Sequence, residues 1–134
     1  MIALLLFTSL PGCEQVRRAR ECRGISDVVN PRLRIIDAER AKNDEAAAYG
    51  RIAALYQSLA ENLVAKRYSS KRLADAVNEY AKLLTEASMD ARAYSDAVTA
   101  KDNGRVALAR AAAGRTLKRE NAALLRIEGA CTAR

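Results

Sequence analysis

"KNDE", residues 42–45, decides how many helices this chain forms. Before it, Cys22, Ile25, Val29, Leu33 and Ile36 recur at spacings of three and four, which places them on one stripe of a helix. After it, Tyr49, Ile52, Tyr56, Leu59 and Leu63 do the same. Four consecutive polar positions cannot carry an apolar stripe between the two, and the side-chain oxygen of Asn43 or Asp44 suits the cap of a fresh helix. A chain that turns at residues 42–44 has four helices. A chain that runs through them has three long ones.

Downstream, Tyr68-Ser69-Ser70 interrupts the periodicity, and Ser69 or Ser70 is placed to cap the next helix. Leu73, Val77, Tyr80, Leu84, Ala87, Ala91, Tyr94 and Val98 form the longest stripe, which ends at the turn signal Asp102-Asn103-Gly104. The last stripe holds Val106, Ala109, Ala113, Leu117, Leu124, Ile127 and Cys131, with Glu120 its one charged member. In the first third, Gly24 weakens the helix, and Pro31 must either kink it or start one with Asn30 as cap. Composition agrees with an all-α chain: the 134 residues are rich in Ala, Leu and Arg but include six Gly, two Pro, one Phe and no Trp. That length accommodates one domain with one modest core.

The cysteines discriminate between the two architectures. Antiparallel helices joined by short loops alternate in direction, so the first start and the last end meet only if the helix count is even. Cys22 and Cys131 lie near those two places, each on its helix's apolar stripe. A Cys22–Cys131 disulfide therefore requires an antiparallel four-helix up-down bundle, the favoured reading. In three straight helices about 40 Å would separate the two residues. Three long helices with two unpaired, buried thiols remain the alternative.

Cys13 makes the cysteine count odd, and it closes the longest uncharged stretch, Met1 to Gly12. The apolar run Ile2 to Phe7 and its continuation to Leu10 fall far short of the roughly 20 residues that span a bilayer, and suit a signal-peptide core instead. Leu10-Pro11-Gly12-Cys13 resembles the lipobox of bacterial lipoprotein signal peptides, with Leu three positions before a Cys and a small residue just before it. The resemblance implies that residues 1–12 are removed and residues 13–134 form the mature domain. It also implies that Cys13 carries a diacylglycerol and that the new N-terminus is acylated. In that family an inner-membrane retention signal has Asp after the Cys; Glu14 here favours the outer membrane. With Cys13 assigned to lipid, an even pair of cysteines is left for an oxidising periplasm. Arg17, Arg18, Arg20 and Arg23 follow closely enough to meet lipid headgroups, or else form a solvated face broken by Glu14 and Glu21.

The chain has no histidine, which removes the commonest general base and the usual mixed Cys and His zinc sites. There is no CxxC, no Gly-rich phosphate loop and no serine nucleophile elbow. Neither a catalytic residue nor a metal, cofactor or small-molecule substrate is indicated. Glu120 with Arg40 reads as a buried ion pair or bundle-edge contact rather than as a catalytic acid. The tyrosines on the stripes, Tyr49, Tyr56, Tyr80 and Tyr94, read as core residues whose hydroxyls reach the bundle edge. Arg115, Lys118, Arg119 and Arg126 share one side of the last helix, either a docking strip for an anionic partner or a solvated face.

The net charge of +7 favours anionic partners without choosing among them. The expected function is that of a lipid-anchored, non-catalytic interaction or structural protein of the cell envelope. Its expected partners are the membrane through Cys13 and an unknown protein or anionic envelope polymer. The alternative is a cytosolic basic helical protein that binds nucleic acid or an acidic protein, although no nucleic-acid motif supports it.

Overall fold

Asp44 ends the first helix's influence and starts the second: its side chain accepts a hydrogen bond from the Ala47 amide at 3.3 Å. The computed structural model describes residues 12–132 and places four helices there. They are α1 (Cys13–Arg40), α2 (Glu45–Val64), α3 (Lys71–Thr99) and α4 (Asn103–Thr132). Ser70 caps α3 by accepting from the Leu73 amide. Asp102 accepts from the Arg105 amide at 3.0 Å and so opens α4. The expected signal peptide, residues 1–12, lies, but for Gly12, outside the described residues.

Short connections force neighbouring helices antiparallel, and the result is an all-α four-helix bundle without strands among the described residues. Cys22 and Cys131 are bridged, with Cα atoms 6.0 Å apart, as an even number of helices requires. The tightest turn, between α3 and α4, is closed by Lys101 at φ 55°, with the Asp102 amide donating to the Ala97 carbonyl and the Lys101 amide to the Val98 carbonyl. These two bonds occupy carbonyls that the helix end would otherwise leave open.

α3 is the centre of the core. Twelve of its 29 residues are buried, against four of the 28 in α1, so α1 is the peripheral helix. Tyr80, Ile52, Leu59, Leu63, Leu73, Leu84 and Val77 are fully enclosed, and each such side chain contributes about 1.5–3 kcal/mol. Small residues let α2 and α3 approach closely: Ala53 and Ala81 are buried, and Ser88 donates to the Ala53 carbonyl at 2.8 Å. Ser95 repeats this contact with the Ala46 carbonyl at 2.7 Å.

Three expectations need correction. Of the two readings of Pro31, the start of a helix is excluded, because α1 runs through it with Pro31 on the exposed side. The inward face of α4 is rotated by about one position from the apolar stripe: Ala109, Thr116, Glu120, Ala123, Ile127 and Ala130 are buried, whereas Leu117 is 47% exposed. Part of this face meets polar partners on α3, as Thr116 donates to Asp90 and Glu120 accepts from Tyr80, and these contacts favour Thr116 over Leu117 as the inward residue. Tyr80, finally, keeps its hydroxyl inside the bundle rather than at its edge, where it donates to Glu120 at 3.2 Å.

Candidate functional site

The seam between α1 and α4 separates two regions of different chemistry. These two helices barely touch, in contrast to the extensive α2–α3 and α3–α4 contacts. The Cys22–Cys131 bridge pins the seam at one end.

Cys13 lies beyond that bridge. It is the first residue of α1, exposed, with a free thiol. From Cys13 to Arg20 nothing is buried, so about 12 Å of helix projects past the bundle. The overhang is tied down at Glu21, whose carboxylate accepts from the Ser69 amide at 3.0 Å and from the Ser69 hydroxyl at 3.0 Å. This contact brings the α2–α3 turn, with Lys66, Arg67, Lys71 and Arg72, to the same end as Arg17, Arg18, Arg20 and Arg23. All eight are exposed except Arg18, which is partly covered. Residues 13–24 and 65–75 hold these eight cations and three carboxylates, Glu14, Glu21 and Asp75, an excess of five from a chain total of seven. Lys71 pairs with Asp75 at 2.6 Å. No sequence pattern singles out the cations of the turn; their placement beside α1 makes them part of a charged end.

The basic strip of α4 divides. Arg119 and Arg126 turn toward α3 and pair with Glu86 and Glu79. Arg115 and Lys118 face solvent. Two of the four cations are thus matched within the bundle, which weakens the field this face presents.

At the other end of the seam lies a cleft of about 280 Å³. Its apolar walls include Tyr49, Ile52, Tyr56 and Tyr94, with Tyr49 and Tyr94 stacked at 4.4 Å between ring centres. Its polar groups are Arg40, Asp90, Thr116 and Glu120. Arg40 does not form the expected ion pair with Glu120. It donates instead to Asp37, one turn earlier on α1, at 2.9 Å and to the Tyr56 hydroxyl of α2 at 2.8 Å. Thr116 donates to Asp90 at 2.6 Å. Glu120, 5% exposed, has its pKa raised, first by burial, against the opposing effects of the Tyr80 hydrogen bond and the nearby Arg40 charge. Burial likewise pushes the Tyr56 hydroxyl up to about 12, helped by the Glu120 charge. At the rim, Tyr94 donates to Glu45 and accepts from Arg110 at 3.1 Å.

Glu120 was visible in the sequence as the charged member of an apolar stripe. Asp90 and Thr116 were not, since neither interrupts a stripe, and no pattern within one helix reports what its neighbour places opposite. Among the described residues no group of three or more Cys, Asp or Glu side chains is arranged to hold a metal, and no helix is long and apolar enough to cross a membrane. Comparison of the chain with protein-family models, curated proteins and solved structures finds no match.

Proposed function

We propose that this chain is a lipid-anchored, non-catalytic lipoprotein of the cell envelope, in which Cys13 carries the lipid and the bundle serves an interaction or structural role. The observation that carries the reading is the position of Cys13. An exposed thiol at the tip of a helical overhang, on the end that concentrates the positive charge, suits an anchor facing anionic headgroups. Two or three acyl chains, at about 0.8 kcal/mol per buried CH₂, hold a protein far more firmly than one chain does. Each cation near an anionic surface adds up to about 1 kcal/mol. The Cys22–Cys131 bridge supports an oxidising compartment, and the periplasmic face of the outer membrane is the proposed location. Beyond the membrane, the proposed partner is a protein or an anionic polymer of the envelope.

Intact mass of the chain expressed in a bacterium, with and without an inhibitor of the lipoprotein signal peptidase, tests this. A diacylglyceryl precursor should accumulate only under inhibition, and Cys13→Ser should abolish the lipid mass. A product that begins at Met1 and carries no lipid would refute the anchor and favour the cytosolic alternative.

A further inference from the structure

Hydrogen-bond accounting in the cleft shows an imbalance. Arg40 and Thr116 already donate, to Asp37, Tyr56 and Asp90, and Tyr80 donates to Oε1 of Glu120. Acceptors are left over. Glu120 Oε2 has no hydrogen-bond partner among the described residues, yet no fully enclosed side-chain oxygen is unsatisfied, so Oε2 must open onto the cleft that Glu120 lines. Oδ1 of Asp90 likewise has no donor. Both oxygens open to the cleft and are free to accept, so a ligand that brings donors can exchange hydrogen bonds with the solvent that reaches them.

The charges agree. Around the cleft, Arg40 is near enough for its charge to act on Glu120 but is bonded to Asp37, and Arg110 lies with Glu45 at Tyr94; neither pairs with Asp90 or Glu120, and with Asp37 the carboxylates outnumber the one guanidinium that lines the space. This acidic, tyrosine-walled space sits within a protein of net charge +7. Tyrosine faces attract a cation, and adjacent apolar walls accept a hydrocarbon body. At about 280 Å³ the cleft is at the small end of ligand pockets, enough for one ring and a short chain.

We propose that the α1–α4 cleft is a binding site for a small primary ammonium compound with an apolar body, its N–H groups donating to Glu120 Oε2 and Asp90 Oδ1 and its body lying against Tyr49, Tyr56 and Ile52. The site is independent of the lipid anchor, which lies beyond the other end of the seam. A primary amine fits better than a quaternary one because the two oxygens require donors, not charge alone.

Calorimetric titration of the full chain at pH 7 with 2-phenylethylammonium, its neutral isostere 2-phenylethanol and the anion 3-phenylpropionate reads the charge preference. The ammonium compound should bind at least about tenfold more tightly than either of the others, and Glu120→Gln should lose that preference. Gly114→Leu is the second variant: Gly114 lines the cleft, and a Cβ there meets nothing within 4 Å, so the substitution starts without a clash, and the melting curve of the variant checks that it folds. Its side chain should obstruct the space and abolish binding. Equal binding of all three compounds, no binding of the ammonium compound, or unchanged binding by Gly114→Leu would each overturn the assignment.

Discussion

Removing the Cys22–Cys131 bridge, by the pair Cys22→Ala and Cys131→Ala, should both destabilise the bundle and release α1 in particular. The two residues are 109 apart in sequence, and the chain-entropy relation for a loop of that size gives an upper bound of about 4.7 kcal/mol. Measured losses usually fall below the bound, so about 2–4 kcal/mol is the expected range. At about 2.1 cal/mol/K per residue, a 134-residue chain shifts its Tm by about 4 °C per kcal/mol, which predicts a fall of about 8–16 °C. The loss should not be uniform. α1 buries only Ile25, Val29, Ile36 and Glu39 and scarcely touches α4, whereas α3 packs on both α2 and α4. Hydrogen exchange should therefore accelerate first at the amides of residues 25–36, while those of residues 77–91 keep their protection relative to the lowered global stability. An unchanged Tm in the double variant, or equal acceleration in α1 and α3, would refute this account of the seam. So would two reactive thiols per chain when the protein exported to the periplasm is denatured without reductant.

The remaining predictions concern single residues. Because the folded-state pKa of Glu120 lies above its unfolded value, the folded protein holds that proton longer; its contribution to stability is full below the unfolded pKa and is lost as pH rises through the folded one. Urea melts of wild type and Glu120→Gln at pH 4 and pH 7 should show the wild type losing stability relative to the variant at the higher pH, and a wild type that gains stability relative to the variant from pH 4 to pH 7 would contradict it. Pro31 denies α1 one backbone hydrogen bond, to the Asp27 carbonyl, at an exposed position. Pro31→Ala should raise stability by up to about 3 kcal/mol, measured by thermal unfolding, and a lower Tm would mean that the proline ring makes a contact worth more than the bond it removes.

What the sequence made legible is what depends on one helix at a time or on a count. The corner at residues 42–44 could be read because four polar positions break any stripe and Asp44 can cap. The pairing of Cys22 with Cys131 could be read because it depends only on the parity of the helices. The rotation of α4 could not: Leu117 and Thr116 differ by one position, apolarity favours the leucine, and the Asp90 carboxylate that Thr116 meets on α3 is not written in the sequence of α4. The cleft escaped for the same reason. Asp90 and Glu120 stand on different helices, 30 residues apart; the Asp37–Arg40 pair was legible as an i,i+3 spacing on one helix, whereas the Tyr56 hydroxyl as the second partner of Arg40 was not. Arg119 and Arg126 read as free cations until α3 supplied Glu86 and Glu79.

The two ends of the seam should act independently, and the reason is distance. From Cys13 to Arg40 the unbroken α1 spans about 40 Å at 1.5 Å per residue. The Debye length at physiological salt is about 8 Å, so headgroup charge at the overhang is screened several times over before it reaches Asp90 or Glu120. Mechanical coupling is the remaining route, and the geometry of α1 limits it. The bridge fixes α1 to α4 at the end away from the cleft, whereas Arg40, the α1 residue that lines the cleft, sits beside the corner at residues 41–44. Without the bridge, α1 swings about that corner, so Cys22 moves most and Arg40 least, and Glu39 stays paired with Arg51 of α2 at 2.8 Å. Charge reversal at Arg67 and Arg72 should therefore leave binding in the cleft unchanged, and so should loss of the bridge while the bundle is folded; weaker binding by the bridge variant below its Tm would refute the independence of the two ends.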